Sequence, residues 1–163
     1  MTVNNMIVVG MADLNVTKSP GVLTTLGLGS CVGIALYDHL YKIAGLAHIM
    51  LPDSKQFQSN VIVAKFADTA IMKLLEDMAR LGSKRASIKA KIAGGAQMFA
   101  FNSTNESMRI GDRNVEAVIR NLHAAGIQLI GQDTGANYGR TVELNSQDGS
   151  FFVKTIGHGT RFI

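Results

Sequence analysis

The chain holds a single cysteine, Cys31, and it directly follows a glycine-rich run, Gly27-Leu28-Gly29-Ser30. A thiol attacks as its thiolate, and a neighbouring imidazole is a common means of making one near neutral pH. His48 lies in the next apolar stretch, between Ala47 and Ile49. Residues 30–37 and 43–51 both read as buried strands, with polar residues 38–41 between them as a turn. A hairpin closed symmetrically between His39 and Leu40 pairs residue 38 with residue 41, and so Cys31 with His48. Directly opposed residues have Cβ atoms about 4.5–5.5 Å apart, close enough for a thiol–imidazole pair. A slip of one residue would set Ala47 or Ile49 there instead. The glycines let the backbone turn sharply beside the thiol. Bare N–H groups at Gly29 and Ser30 can then stabilise an oxyanion.

Plainer readings stand beside this one. A lone cysteine on a buried strand is most often a small hydrophobe. A histidine between Ala47 and Ile49 is often a core residue with its hydrogen bonds met inside. The other histidines compete weakly: His39 is in the turn, His123 flanks a helical apolar stripe, and His158 sits in a Gly157–Gly159 tail. One cysteine excludes an internal disulfide and any zinc site that needs several thiolates. Gly27-x-Gly29 has no glycine at position 32, so it is not a dinucleotide fingerprint, and residues 135–141 have the wrong spacing for a phosphate loop. Asp133, the only acid in its loop, reads as a turn-stabilising residue. No metal site and no cofactor are expected.

The elements that must position these residues follow from periodicity. Short strands are expected at 6–10 and 23–28, with a turn-like stretch at 15–21. Ala67, Ala70, Ile71, Leu74, Leu75 and Met78 fall on one helical face, ended by Gly82. Residues 87–93 form a strand running into Gly94-Gly95. Asp112 is the expected N-cap of a second helix with the stripe Val115, Val118, Ile119, Leu122 and Ala125. A strand at 127–130, a polar loop at 133–140 and a hairpin of 141–145 with 151–156 complete the chain. Residues 55–60 and 103–105 read as polar loops. Two helices and six or more strands make a mixed α+β domain.

The 163 residues suit one domain, residues 1–163, and 47 % hydrophobic against 17 % charged residues is enough to build a core. The net charge of +4 is scattered, and three Tyr, seven Phe and no Trp give no stacking platform. Nucleic-acid binding is therefore not expected. No stretch reaches the roughly 18 apolar residues of a membrane span. The N-terminus lacks the pattern of a secretion signal, so a cytoplasmic location is expected.

Several strings together resemble one family. Thr25-Leu-Gly-Leu-Gly-Ser-Cys31 and Gly45-Leu-Ala-His48-Ile-Met-Leu-Pro-Asp-Ser54 resemble the chemoreceptor glutamine deamidase family, CheD. Lys91-Ile-Ala-Gly-Gly-Ala-Gln-Met-Phe99, Ile110-Gly-Asp-Arg-Asn-Val-Glu116 and Asp133-Thr-Gly-Ala-Asn137 agree, with Ala136 in place of a glycine. The resemblance implies a three-layer α/β/β sandwich of helices and two mixed sheets, similar to the catalytic domains of glutamine-deamidating toxins. It implies a Cys–His–Thr catalytic set that maps onto Cys31, His48 and Thr25, with Thr24 offering a second hydroxyl. It implies release of ammonia from receptor glutamines through a thioester; a side methylesterase activity is expected because a glutamyl methyl ester resembles the amide. The receptors would dock beside Gly94, Gly95, Met98 and Phe99. A second implied partner is the chemotaxis phosphatase CheC. The alternative function is regulation of such a phosphatase, with catalysis secondary.

Overall fold

The computed structural model describes residues 5–56, 61–98 and 109–163. In chain order the elements are β1 (Met6–Val8), β2 (Asp13–Lys18), β3 (Val22–Leu28), β4 (Val32–Asp38), β5 (Ile43–Ile49), α1 (Ala67–Arg80), β6 (Ile88–Gly94), α2 (Ile110–Ala124), β7 (Gln128–Thr134), β8 (Arg140–Asn145), β9 (Phe151–Thr155) and β10 (Gly159–Phe162). They build two five-stranded sheets, ordered β1-β3-β8-β9-β10 and β2-β5-β4-β6-β7. Each sheet is mixed, with a parallel pair in β1–β3 and in β6–β7.

The second sheet is the middle of three layers. Strand alternation sends Val32, Ile34 and Leu36 of β4, and Ile43, Ala47 and Ile49 of β5, toward the helices. Ala35, Ala44 and Leu46 face the other sheet, where they meet Leu23, Val142, Leu144 and Phe151. The expected α/β/β sandwich is thus the observed architecture. Central strands buried on both faces explain why residues 43–49 are apolar throughout except for His48. Helix α1 buries Ala67, Ala70, Ile71, Leu74, Leu75 and Met78 on this sheet. Each of the larger side chains contributes about 1.5–3 kcal/mol on burial. Its outer face carries i,i+4 pairs, Lys73–Asp77 at 3.0 Å and Glu76–Arg80 at 2.6 Å.

Four expectations change. Residues 13–18, read largely as a turn, form the edge strand β2, paired antiparallel with β5 from Asp13–His48 to Lys18–Ile43. Helix α2 begins at Ile110, so Asp112 lies in its first turn and is not the N-cap. Strand β7 runs to Thr134, because its ladder with β6 continues to the Gly94–Thr134 pair. The tail beyond Gly157 returns as β10 against β9. The expected loop at 103–105, residues 57–60 of the loop at 55–60, and Phe99 lie outside the described residues.

Candidate active site

Strand β3 brings Thr25 to the site and then breaks register. Thr25 pairs with Val142 but Leu28 pairs with Arg140, so three steps on β3 match two on β8. This bulge pushes Leu26 outward, where it is exposed, and sets Gly27 at φ 68°, a conformation natural to glycine. The chain then bends through residues 29–31 into β4. The carbonyls of this bend are all held: Ala96 N–H donates to Gly29 O at 2.8 Å, Asn114 Nδ2 to Ser30 O at 2.9 Å, and Gly95 N–H to Cys31 O at 2.8 Å. Gly94 has φ 111°, and a Cβ there would collide with the Cys31 carbonyl oxygen.

The β4–β5 register corrects the hairpin expectation. Gly33, not Cys31, stands opposite His48, and Asp38 pairs with Ile43. The turn is longer than expected because the Asp38 carboxylate accepts N–H bonds from Leu40 and Tyr41, each at 3.0 Å, and Lys42 closes it at φ 56°. The shift is two residues, so side-chain facing is preserved. Cys31 and His48 both belong to the face that meets the other sheet, as diagonal rather than direct neighbours. Diagonal positions lie about 7–8 Å apart, less between Cβ atoms. Among the described residues, no hydrogen bond joins His48 Nε2 to the thiol or to any other group.

The imidazole is fixed from its other nitrogen. Thr25 Oγ1 lies 2.7 Å from His48 Nδ1 and 2.7 Å from Val9 O. A carbonyl only accepts, so the single hydroxyl proton of Thr25 goes to Val9 O. Thr25 therefore accepts from Nδ1–H, and Nε2 carries the free lone pair. The ring is 1 % exposed, and burial pushes its pKa below 6.5, so it is neutral at pH 7. Burial pushes the Cys31 thiol above its ordinary value, against a smaller opposing effect of its own backbone N–H. The resting pair is thus a neutral thiol and a neutral imidazole. This is a base with an empty acceptor beside an acid that still has its proton. Ala12 N–H also donates to His48 O at 2.9 Å, and Val9 N–H to Thr24 O at 2.7 Å, so residues 9–12 strap the two strands together.

Other candidates sort as follows. Thr24 faces away from the imidazole, and its hydroxyl donates to Val142 O at 2.8 Å. Gly94 and Gly95 are buried against the bend, whereas Met98 is 46 % exposed and lies over Gly29. Asp133 is not a turn residue. It is buried and receives Arg140 Nε at 3.0 Å and Arg161 Nε at 2.8 Å. Among the described residues, no three His, Cys, Asp or Glu side chains are grouped so as to hold a metal ion. No helix among them is long and apolar enough to cross a membrane.

Known proteins similar to this chain fall in one family. The family described as CheD chemotactic sensory transduction matches residues 50–155. A probable chemoreceptor glutamine deamidase CheD of Lachnoclostridium phytofermentans is 54 % identical, over 93 % of this chain and 94 % of that one. The chemoreceptor glutamine deamidase CheD of Halalkalibacterium halodurans is 50 % identical, over 98 % and 99 %. The chain belongs to the CheD family. The CheD family match begins beyond His48, but the alignments with CheD relatives span nearly the whole chain. A counterpart from Caldanaerobacter subterraneus is 54 % identical over 95 % of this chain and 96 % of its own. Among solved structures, the Bacillus licheniformis hypothetical protein YfiH superposes with a TM-score of 0.44 at 17 % identity, over 76 % of this chain and 51 % of that one.

Three residues that pack around the candidate site in this CheD-family chain gave no signal in the sequence that pointed to it. Val9 orients Thr25 through a backbone carbonyl, which leaves no signal in residue type. Arg140 ends a stretch that reads as a polar, Gly-rich loop. Asn114 was passed over, although a short polar amide amid the apolar stripe of a helix is a poor helix former and calls for a reason.

Proposed function

We propose that this chain is a cytoplasmic chemoreceptor glutamine deamidase, a cysteine amidohydrolase that converts specific receptor glutamines to glutamate. The observation that carries the reading is His48 Nε2. It is a buried lone pair without a partner among the described residues, in a tautomer set by Thr25, on the face that also presents Cys31. An orphaned buried acceptor is costly unless something uses it.

In the proposed cycle, the Cys31 thiol gives its proton to His48 Nε2 as sulfur attacks the carboxamide carbon. The oxyanion is held by N–H groups of the bend at Gly29, Ser30 and Cys31, whose carbonyls are tied back into the fold. His48 then protonates the departing amine, ammonia leaves, and a thioester remains. Water attacks it with Nε2 as base, glutamate departs, and the proton returns to Sγ. Thr25 stays hydrogen-bonded to Nδ1–H throughout, keeping the ring aimed and easing its transient positive charge. A glutamyl methyl ester offers the same carbonyl and would enter the same steps. Exposed Leu26 and Met98 flank the bend and, with Phe99, are the apolar contacts proposed for the receptor.

The test is to incubate purified protein with a receptor cytoplasmic domain, following ammonia and the mass of each glutamine-containing peptide. Glutamate appears with wild type and not with Cys31→Ala or His48→Ala. Unchanged conversion by a folded Cys31→Ala variant rules the mechanism out.

A further inference from the structure

The strands that carry Cys31 and His48 part company at the site. Their ladder ends at the Val32–Ile49 pair. Beyond it, β5 turns toward residue 65, with Met50 N–H and Leu51 N–H both donating to Lys65 O at 2.8 and 3.0 Å. On the other side the bend turns toward Gly95 and Ala96. The result is a fork, with Ser30 on one arm and Met50 on the other.

One side chain spans that fork. Asn114 is fully buried, on the face of α2 that packs against the sheet. Its Nδ2 donates to Ser30 O at 2.9 Å and to Met50 O at 3.0 Å. Two carbonyl partners settle which end of the amide is nitrogen, since an oxygen there would face two oxygens. Asn114 Oδ1 is buried without a donor among the described residues. The amide thus acts here through its two N–H groups, which satisfy both buried carbonyls. The helix is seated to deliver it. Gly111, three residues earlier and so on the same side, lies so close to the segment after β6 that a Cβ would come within 2.5 Å of Ala96 O and 2.6 Å of Gly95 O.

We infer that Asn114 is a positioning residue that sets the gap between nucleophile and base, holding the residue before Cys31 and the second residue after His48 at fixed separation. This rests on the deamidase reading of the Cys31–His48 site. Removing the amide lets the fork open, and a misplacement of about 1 Å between reacting groups can cost roughly 10²-fold in rate.

The experiment uses the full chain with Asn114→Ala, and Asn114→Asp as the closest isostere, whose ionised carboxylate repels both carbonyls. Folded fraction is read by circular dichroism, kcat and KM on a receptor cytoplasmic domain, and Cys31 access by iodoacetamide alkylation. The expected result is a fall in kcat per folded molecule of roughly 10²-fold, with KM within about twofold and faster alkylation of Cys31. Wild-type kcat per folded molecule in either variant overturns the inference, as does failure of both variants to fold, which would make Asn114 structural. Loss of the underlying reading looks different: wild type itself would release no ammonia, or Cys31→Ala would match it.

Discussion

Replacing Thr25 by valine keeps the branching and volume and removes one hydroxyl. Two buried groups lose their partner, Val9 O and His48 Nδ1–H, each bonded at 2.7 Å. An orphaned buried group costs about 1–3 kcal/mol, so folding stability falls by about 2–6 kcal/mol. The effect on rate is smaller, because only the excess interaction in the transition state counts. A hydrogen bond to a charged group is worth about 1–2 kcal/mol more than one to a neutral group, so kcat falls by about 5- to 30-fold as imidazolium forms without its acceptor. The same loss lowers the pKa of His48 further, moving the acidic limb of kcat/KM to lower pH. Thr25→Ser keeps the bond, loses about 1 kcal/mol with the methyl group, and keeps kcat near wild type. Urea unfolding and ammonia release across pH read all three quantities. A folded Thr25→Val variant with wild-type kcat and an unmoved acidic limb would refute the orienting role.

Further expectations follow from the same contacts. In wild type the base must be neutral, and burial holds its pKa below 6.5, so kcat/KM rises with pH through a value below 6.5; a limb above 6.5 contradicts this. Gly111→Ala forces a Cβ against Ala96 O and Gly95 O and costs about 1–3 kcal/mol in denaturant unfolding. Arg140→Met breaks a buried pair and costs about 3 kcal/mol, the low end for such losses because Arg161 still holds Asp133. For Asp38, burial alone would raise the pKa, but bonds from Ser83, Lys84, Tyr41 and Leu40 outweigh it and the net shift is downward. Its stabilisation is present above the unfolded value of 3.8 and lost as pH falls through the lower folded value. Asp38→Asn should therefore flatten the acid-induced loss of stability measured by thermal melting.

The layer arrangement was legible because central strands and helix faces have unmistakable periods. The apolar run at residues 43–49 and the stripe from Ala67 to Met78 could be read directly. Edge elements were not. β2 is polar on its outer face, so Asn15 resembled a turn residue, and β10 hides behind Gly157 and Gly159. The pairing of Cys31 with His48 was read on the right face but two residues out of register. The missing information was in Asp38, whose carboxylate caps a longer turn and whose residue type carries that signal. Thr25 came from the family resemblance. Its bond to the imidazole crosses between sheets, and no local pattern encodes a contact of that kind. Arg140 likewise bridges the two sheets, onto a strand-end carboxylate, and Asn114 reaches from the helix layer to backbone carbonyls of the middle layer; both are equally invisible to periodicity.

The central claim is that Cys31 attacks the receptor glutamine with His48 as base. The most direct measurement is an acid-quenched single turnover with a glutamine-containing receptor fragment, followed by mapping of any covalent adduct. The expected species is a transient thioester on Cys31 that has already lost ammonia, absent in His48→Ala. An adduct on another residue, or glutamate formed at the wild-type rate by folded Cys31→Ala, would contradict it.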